Sequence, residues 1–291
     1  MLHQHTTSDA ELNLDNGGHL SIDAFITPPY TLQALSAYNN QLSEFPAEVC
    51  LNHHLRVLNL SCNQITKIPA QIAQLTRCEM LDFGHNLIVD VAPEIGALNE
   101  LQFLYLSENG FSALPADFSG LHKLTYFNAT DNKLTALPAW FSAMSELIEI
   151  RLYNNEIKEL SASVCGLKKA REIYLMNNAV TSIPDDIAAL SALEILDLNN
   201  NKISYITSLI SALNNLTTLN LRFNELTALP ADLSGLSSLT HLDLRANQLS
   251  SLPDSLADLP NLRKLDLRWN AFSNEPPVAE KLRQSGCIVL L

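Results

Sequence analysis

Cysteine and histidine are the side chains that most often carry covalent or metal chemistry, and their placement here supports neither. The five cysteines, Cys50, Cys62, Cys78, Cys165 and Cys287, are odd in number and never spaced as CxC or CxxC, so neither a zinc site nor a disulfide framework is expected. Among the histidines, His3 and His5 stand at the start, His53 and His54 are adjacent, and His85, His122 and His241 are isolated from one another. Cys62 and His85 could approach as thiol and base, but no third partner is evident to orient the imidazole. No GxxxxGK[ST], HRD or DFG motif occurs. The sequence therefore predicts no catalytic residue, no metal and no cofactor, and the chain reads as a non-enzyme.

What is regular is asparagine. Asn40, Asn63, Asn86, Asn109, Asn132, Asn155, Asn178, Asn201, Asn224, Asn247 and Asn270 follow one another at intervals of 23 residues. Around each runs the pattern LxxLxLxxNxL, as in LTTLNLRFNEL at residues 216–226. An unbroken period over eleven units means one structural unit stacked many times with the same local geometry. With the motif numbered from its first leucine, positions 1, 4 and 6 point inward, because alternate strand residues face opposite sides. One unit alone could not bury them; stacked neighbours can, each leucine contributing roughly 1.5 to 3 kcal/mol when fully buried. The asparagine at position 9 invites a functional reading as a row of ligands. The chain leaves its strand there, however, and a short amide can both donate and accept, so a buried hydrogen-bonded ladder is expected instead.

The phase extends beyond the asparagines. Leu12 and Leu14 precede Leu35 and Ala37 by one period, and Ile22 and Ile26 precede Phe45 and Val49. Ile288 and Leu290 follow Leu265 and Leu267 by one period, behind a short helix expected over 278–284. This divides the chain into a flexible start (1–9), an N-terminal capping repeat (10–31), eleven repeats (32–275) and a helix–strand cap (276–291). Cys78 and Ala170 replace the first leucine of their units, Ala37 and Ala129 the third, which reads as packing variation. Ser161 and Thr207 stand where other units place the proline of the outer turn.

These residues, from Leu12 to Leu290, resemble the leucine-rich-repeat superfamily. Segments such as IPAQIAQLTR from Ile68 and LPADLSGLSS from Leu229 resemble its 23-residue intracellular Ras-group class, which is similar to the repeats of scribble- and erbin-type scaffolds and of many bacterial proteins. The resemblance implies an α/β fold, a right-handed horseshoe-shaped solenoid with a parallel inner sheet of about 13 short strands and short helical turns on the convex side. It implies nothing about the partner.

Composition narrows the partner. Hydrophobic residues make up 47 % of the chain, with 9 glycines and 13 prolines, so most of it should fold. A net charge of −13 repels nucleic acid and anionic membrane surfaces, and neither is expected as a partner. No apolar stretch approaches the roughly 20 residues needed to span a bilayer, and the start lacks the basic and apolar runs of a secretory leader. Extracellular members of the resembled superfamily usually close their ends with disulfide-bonded caps, which these cysteines cannot form. A cytoplasmic monomer is expected.

Function should then lie on the strand residues between the leucines, which face solvent. In the middle of the chain these are aromatic: Phe103, Tyr105, Tyr126, Tyr153 and Tyr174, joined by Arg151 and Met176, with Glu108, Asp131, Glu149, Arg171 and Glu172 around them. Tyrosine buries a large area and keeps a hydrogen-bonding tip, so this group is the expected site for a protein or peptide ligand on the concave face. A secondary site is expected at Arg222, Phe223, Arg245, Arg268 and Trp269, where arginines either pair with Asp243 and Asp266 or offer an acidic partner an anchor. The function expected is a non-catalytic interaction module or scaffold. The alternatives are a bacterial effector delivered into a host cell and a regulatory subunit of a kinase or GTPase system.

Overall fold

A computed structural model describes residues 7, 8 and 10–291. The flexible start expected over 1–9, with His3 and His5, lies outside these residues except for Thr7–Ser8, which pair antiparallel with Leu12 and Glu11. The chain forms two compact units. One holds the described residues up to Leu134 together with Pro138–Leu147; the other holds Thr135–Leu137 and Ile148–Leu291.

Both units are leucine-rich-repeat solenoids. In the first, the strands Glu11–Asn13, Ala34–Ser36, Val57–Asn59, Met80–Asp82, Phe103–Tyr105 and Tyr126–Asn128 pair in parallel, each residue opposite its counterpart 23 places on. In the second, Glu149–Arg151, Glu172–Tyr174, Ile195–Asp197, Thr218–Asn220, His241–Asp243 and Lys264–Asp266 pair with one another in the same 23-residue register. Each strand is three residues long and occupies motif positions 3 to 5. Its central residue is buried while, in all but one strand, the flanking residues are half-buried or exposed; Asp266 is the buried exception. The leucines behave as their phase requires: Leu58, Leu60, Leu104, Leu106, Leu196 and Leu198 have no exposed surface.

The outer side is built from five-residue 3-10 turns, such as Ala47–Leu51 and Ala116–Gly120 in the first unit and Asp185–Ala189 in the second. Pro46 and Pro184 enter theirs in extended conformation, where a missing N–H costs nothing. Thr207, standing where a proline is usual, instead accepts a hydrogen bond from Leu209 N and holds the same extended entry. Neighbouring turns can touch closely: a Cβ on Gly120 would lie 2.2 Å from the carbonyl oxygen of Gly96, so glycine is required there.

The asparagine ladder is present. Nδ2 of Asn224 donates to the carbonyls of Leu198, Leu221 and Arg222, and its Oδ1 accepts from Ile203 N at 2.9 Å. Asn63 repeats the pattern in the first unit with Ala37, Leu60, Ser61 and Leu42. Each amide thus ties its own turn to the preceding repeat. The residue before it, at position 8, lies in the left-handed region in every such unit, with φ between 49° and 63° from Glu108 to Trp269.

The C-terminal cap departs from the expected phase by one residue. The helix forms, over Pro277–Gln284, but it is Val289 that pairs with Leu265 and is buried, whereas Ile288 faces Lys264 and is 61 % exposed. The last unit is therefore one residue longer than the others. A true α-helical segment closed by Gly286 at φ 91° replaces the compact 3-10 turn, and the strand after it shifts accordingly.

Asn224→Leu should lower stability by at least about 2 kcal/mol, because three carbonyls and one N–H in or near the core lose a partner. Denaturant unfolding of the two proteins measures this, and equal midpoints would mean that the amide holds nothing.

Candidate functional site

At the end of each strand, position 5 has a structural task that sequence patterning did not anticipate. In eight units the side chain there is Asn or Asp, and its Oδ1 accepts from the backbone N–H two residues on. The pairs are Asn13 with Asp15, Asn59 with Ser61, Asp82 with Gly84 and Asn128 with Thr130 in the first unit. In the second they are Asp197 with Asn199, Asn220 with Arg222, Asp243 with Arg245 and Asp266 with Arg268. Where Ser36 occupies the position, Asp15 takes over and accepts from Tyr38 N. The remaining units carry Tyr105, Arg151 and Tyr174. Arginine has no acceptor, and a tyrosine oxygen lies at the far end of a ring, so these residues give up a turn bond worth about 0.5 to 1.5 kcal/mol. All three belong to the expected ligand site.

In the first unit, the ring of Tyr126 stands 4.8 Å from that of Tyr105 and 6.5 Å from that of Phe103, so the three rings form one cluster on the open strand face. Phe103 is 39 % exposed and the tyrosines are half-buried. Beside them His85 Nδ1 meets Glu108 at 2.8 Å, supplying the orienting partner that sequence alone did not reveal. Cys62, however, lies beside Tyr38, whose phenol pKa it raises, and among the described residues no hydrogen bond joins the Cys62 side chain to His85. Cys62 and His85 thus do not form a nucleophile–base pair.

In the second unit, Arg151 lies over the ring of Tyr174, 5.3 Å from its centre, and donates from Nε to Glu149 at 2.5 Å. The Tyr174 hydroxyl donates to Glu172 at 2.7 Å. Burial, then the bond and charge of Glu172, push its pKa up to about 12, so it remains a neutral donor. Its polar tip, expected to be open to a ligand, is thus engaged within the chain. Tyr153 and Met176, both at position 7, are half-buried on the same strand face, and Arg171 pairs with Glu194 at 3.2 Å.

The secondary group divides. Arg245 grips Asp243 (2.6 Å) and reaches Asp266 (3.3 Å), while Arg268 holds Asp266 at 2.7 Å. The self-paired ladder expected from the sequence therefore exists for two of the three arginines. Arg222 has no carboxylate partner among the described residues; it lies over the ring of Phe223, 5.8 Å from its centre, and its Nε is buried without an acceptor. Burial alone would raise the Asp266 pKa, but hydrogen bonds from Arg268 and the charges of Arg245 and Arg268 outweigh it, and the carboxyl sits below its ordinary value. Elsewhere the five cysteines are free thiols, and burial first of all pushes Cys50 and Cys78 up to about 12, which leaves them unreactive. Among the described residues no group of three or more His, Cys, Asp or Glu side chains is arranged to hold a metal, and no helix is long and apolar enough to cross a membrane.

Comparison with known proteins agrees with this architecture. Three leucine-rich-repeat family models match: a leucine-rich repeat region over residues 159–287 and single repeats over 51–67 and 100–121. No curated protein sequence matches. Among solved structures, a leucine-rich-repeat protein of Leptospira interrogans is 31 % identical with a TM-score of 0.83, the match covering 89 % of this chain and 66 % of that one. The plant peptide hormone receptor RGFR1, solved in complex with RGF2, is 28 % identical with a TM-score of 0.79 over 90 % of this chain and 43 % of the receptor. The protein of the TLR13–ssRNA13 complex shares the fold at 24 % identity and a TM-score of 0.74, over 87 % of this chain and 42 % of its own. The chain thus spans less than two thirds of the length of each.

Asp266 also sets a pH dependence. Its folded-state pKa is depressed, so its contribution to stability is present above the unfolded value of about 3.9 and is lost as pH falls through the folded value below it. Asp266→Asn should therefore melt well below the parent at pH 7, with the gap narrowing as the solution is taken below pH 4. A constant gap across a melting series from pH 7 to pH 3 would contradict the pairing.

Proposed function

We propose that the chain is a non-catalytic interaction module that takes up a protein or peptide ligand on the open face of its strand ladders. The observation that carries this reading is the surrender of the position-5 turn bond at Tyr105, Arg151 and Tyr174. The fold has a good residue for that place and uses it in eight other units, so side chains that forgo the bond are there for the face they present. Tyr105 adds a ring to that of Tyr126 beside the exposed Phe103, and Arg151 with Tyr174 adds a planar cation on an aromatic; both kinds of group dominate binding energetics.

The kind of ligand follows from charge and from analogy. A net charge of −13 disfavours a polyanion, which speaks against nucleic acid even though the TLR13 fold relative is seen with RNA. The structurally similar RGFR1 holds a peptide hormone, and a strand face lined by short side chains and rings suits an extended or folded polypeptide equally. Unpaired thiols at Cys50, Cys62, Cys78, Cys165 and Cys287 favour a reducing compartment as the place of work.

Two double variants test the strand face of each unit separately: Tyr105→Ala with Tyr126→Ala, and Tyr153→Ala with Tyr174→Ala. Cross-linked affinity capture followed by quantitative titration of the specific partner should show a loss of roughly 30-fold for at least one, equivalent to a hot spot of about 2 kcal/mol. Undiminished binding by both would refute the site. A companion comparison separates function from folding. Tyr105→Asn should be more stable than Tyr105→Ala by about 0.5 to 1.5 kcal/mol, because asparagine restores the turn bond. Ligand binding should nevertheless be equally impaired in the two.

A further inference from the structure

We infer that Arg222, Phe223 and Trp269 form a receptor for a carboxylate carried beside an apolar side chain, that is, for an acidic segment of a protein partner. The inference rests on reading the chain as an interaction module, but it concerns a separate set of residues, all within the second unit.

Three observations converge. First, Arg222 is an uncompensated cation in a row where its counterparts are compensated. Asn220 occupies the place that Asp243 and Asp266 hold in the following repeats, and its Nδ2 faces away to donate to Asp197 at 3.0 Å. The guanidinium is left lying over the ring of Phe223 with no carboxylate of the described chain to balance it, and its Nε is buried without an acceptor. Second, Phe223 and Trp269 are 46 % and 66 % exposed, yet their rings approach to 6.3 Å at an angle of 31°. They come from units two apart and meet across Ala246, whose methyl leaves the space open. Both lie in the left-handed region, at φ 53° and 63°, where bulky L-residues pay about 1 to 2 kcal/mol and where the chain elsewhere places asparagine at Asn154, Asn177 and Asn200. Aromatic residues so placed form a ledge that the fold itself does not require. Third, the strand face alongside contains a hollow of about 310 Å³ lined by Thr218, His241 and Lys264 among others, into which the backbone of a ligand can settle.

The charges choose the anion. Arg245 and Arg268 are already balanced by Asp243 and Asp266, so the site offers one unbalanced positive charge in a chain of net −13; a single carboxylate matches it, while a dianionic phosphate or a polyanionic strand exceeds it. Arg222 provides the planar two-pronged donor that a carboxylate matches, and the ledge takes an aromatic or aliphatic side chain one or two residues away.

The decisive variant is Asn220→Asp, which should supply Arg222 with an internal carboxylate as Asp243 supplies Arg245, closing the receptor without harming the fold. The parent, Asn220→Asp and Arg222→Gln would each be used to select from a random dodecapeptide library on phage, with deep sequencing of the output. Peptides bearing Asp or Glu within two residues of Trp, Phe or Leu should be enriched on the parent at least tenfold over both variants. A synthetic peptide of that sequence should change the emission of the exposed Trp269, the other tryptophan, Trp140, being buried. Indistinguishable selections, or a parent-specific motif without an acidic residue, would overturn the proposal. So would Arg222-dependent quenching of Trp269 by a single-stranded RNA decamer in place of the peptide. If the peptide motif fails while the Tyr105 and Tyr174 variants still abolish partner capture, this receptor is refuted and the module reading stands.

Discussion

One amide per repeat is the constraint from which the remaining geometry follows. The asparagine at position 9, as at Asn63 and Asn224, bonds backward to a carbonyl 26 residues earlier and to an N–H 21 residues earlier, while closing its own turn at the carbonyls two and three residues before it. These bonds specify a distance along the chain as well as in space. An inserted residue between two asparagines must be absorbed on the outer side or it breaks the ladder, which is why the spacing is invariant through eleven units. The left-handed residue at position 8 belongs to the same device, since it turns the chain so that the amide points inward.

With the amide carrying the turn and the leucines the interior, little is left for the strand face to do structurally. Position 5 is the exception, where an Asx side chain steadies the strand end. The face is therefore almost free of folding duty at positions 3 and 7, and lightly burdened at positions 5 and 8. Such a division lets ligand contacts change without disturbing the core, because the stabilising groups and the recognising groups are different atoms on alternating residues.

Much of this could be read directly from the residue order. The leucine phase placed Leu58, Leu104 and Leu196 in the interior, and the regular asparagines pointed to a ladder that Asn63 and Asn224 form. What escaped were effects smaller than a period. The one-residue shift that buries Val289 in place of Ile288 comes from exchanging a 3-10 turn for an α-helix, two segments of similar composition but different rise. The turn role of position 5 lies in the column Asn59, Asp82, Asn128, Asp197, which strand alternation alone marks only as facing solvent. The engagement of the Tyr174 hydroxyl by Glu172, two residues away on the same strand, depends on rotamers that no spacing rule specifies.

The pairing of Arg245 and Arg268 but not Arg222 shows how little sequence is needed to convert a structural column into a recognising one. A carboxylate at position 5 does two things at once: it accepts from the backbone of position 7, and it neutralises the side chain there. An amide at the same place retains the first function and lacks the second, so Asn220 still steadies its turn through Arg222 N while leaving the guanidinium uncompensated. The fold is indifferent to the exchange, since the turn bond survives it. A guanidinium without a carboxylate, in a chain of net −13 whose next two repeats pair theirs, is then unpaired for a reason other than stability. The same logic applies to the aromatic pair, where Phe223 and Trp269 accept a backbone strain that asparagine relieves elsewhere. Both departures fall side by side on one face of one unit, and a ligand that brings its own carboxylate and its own apolar group is what would repay them together.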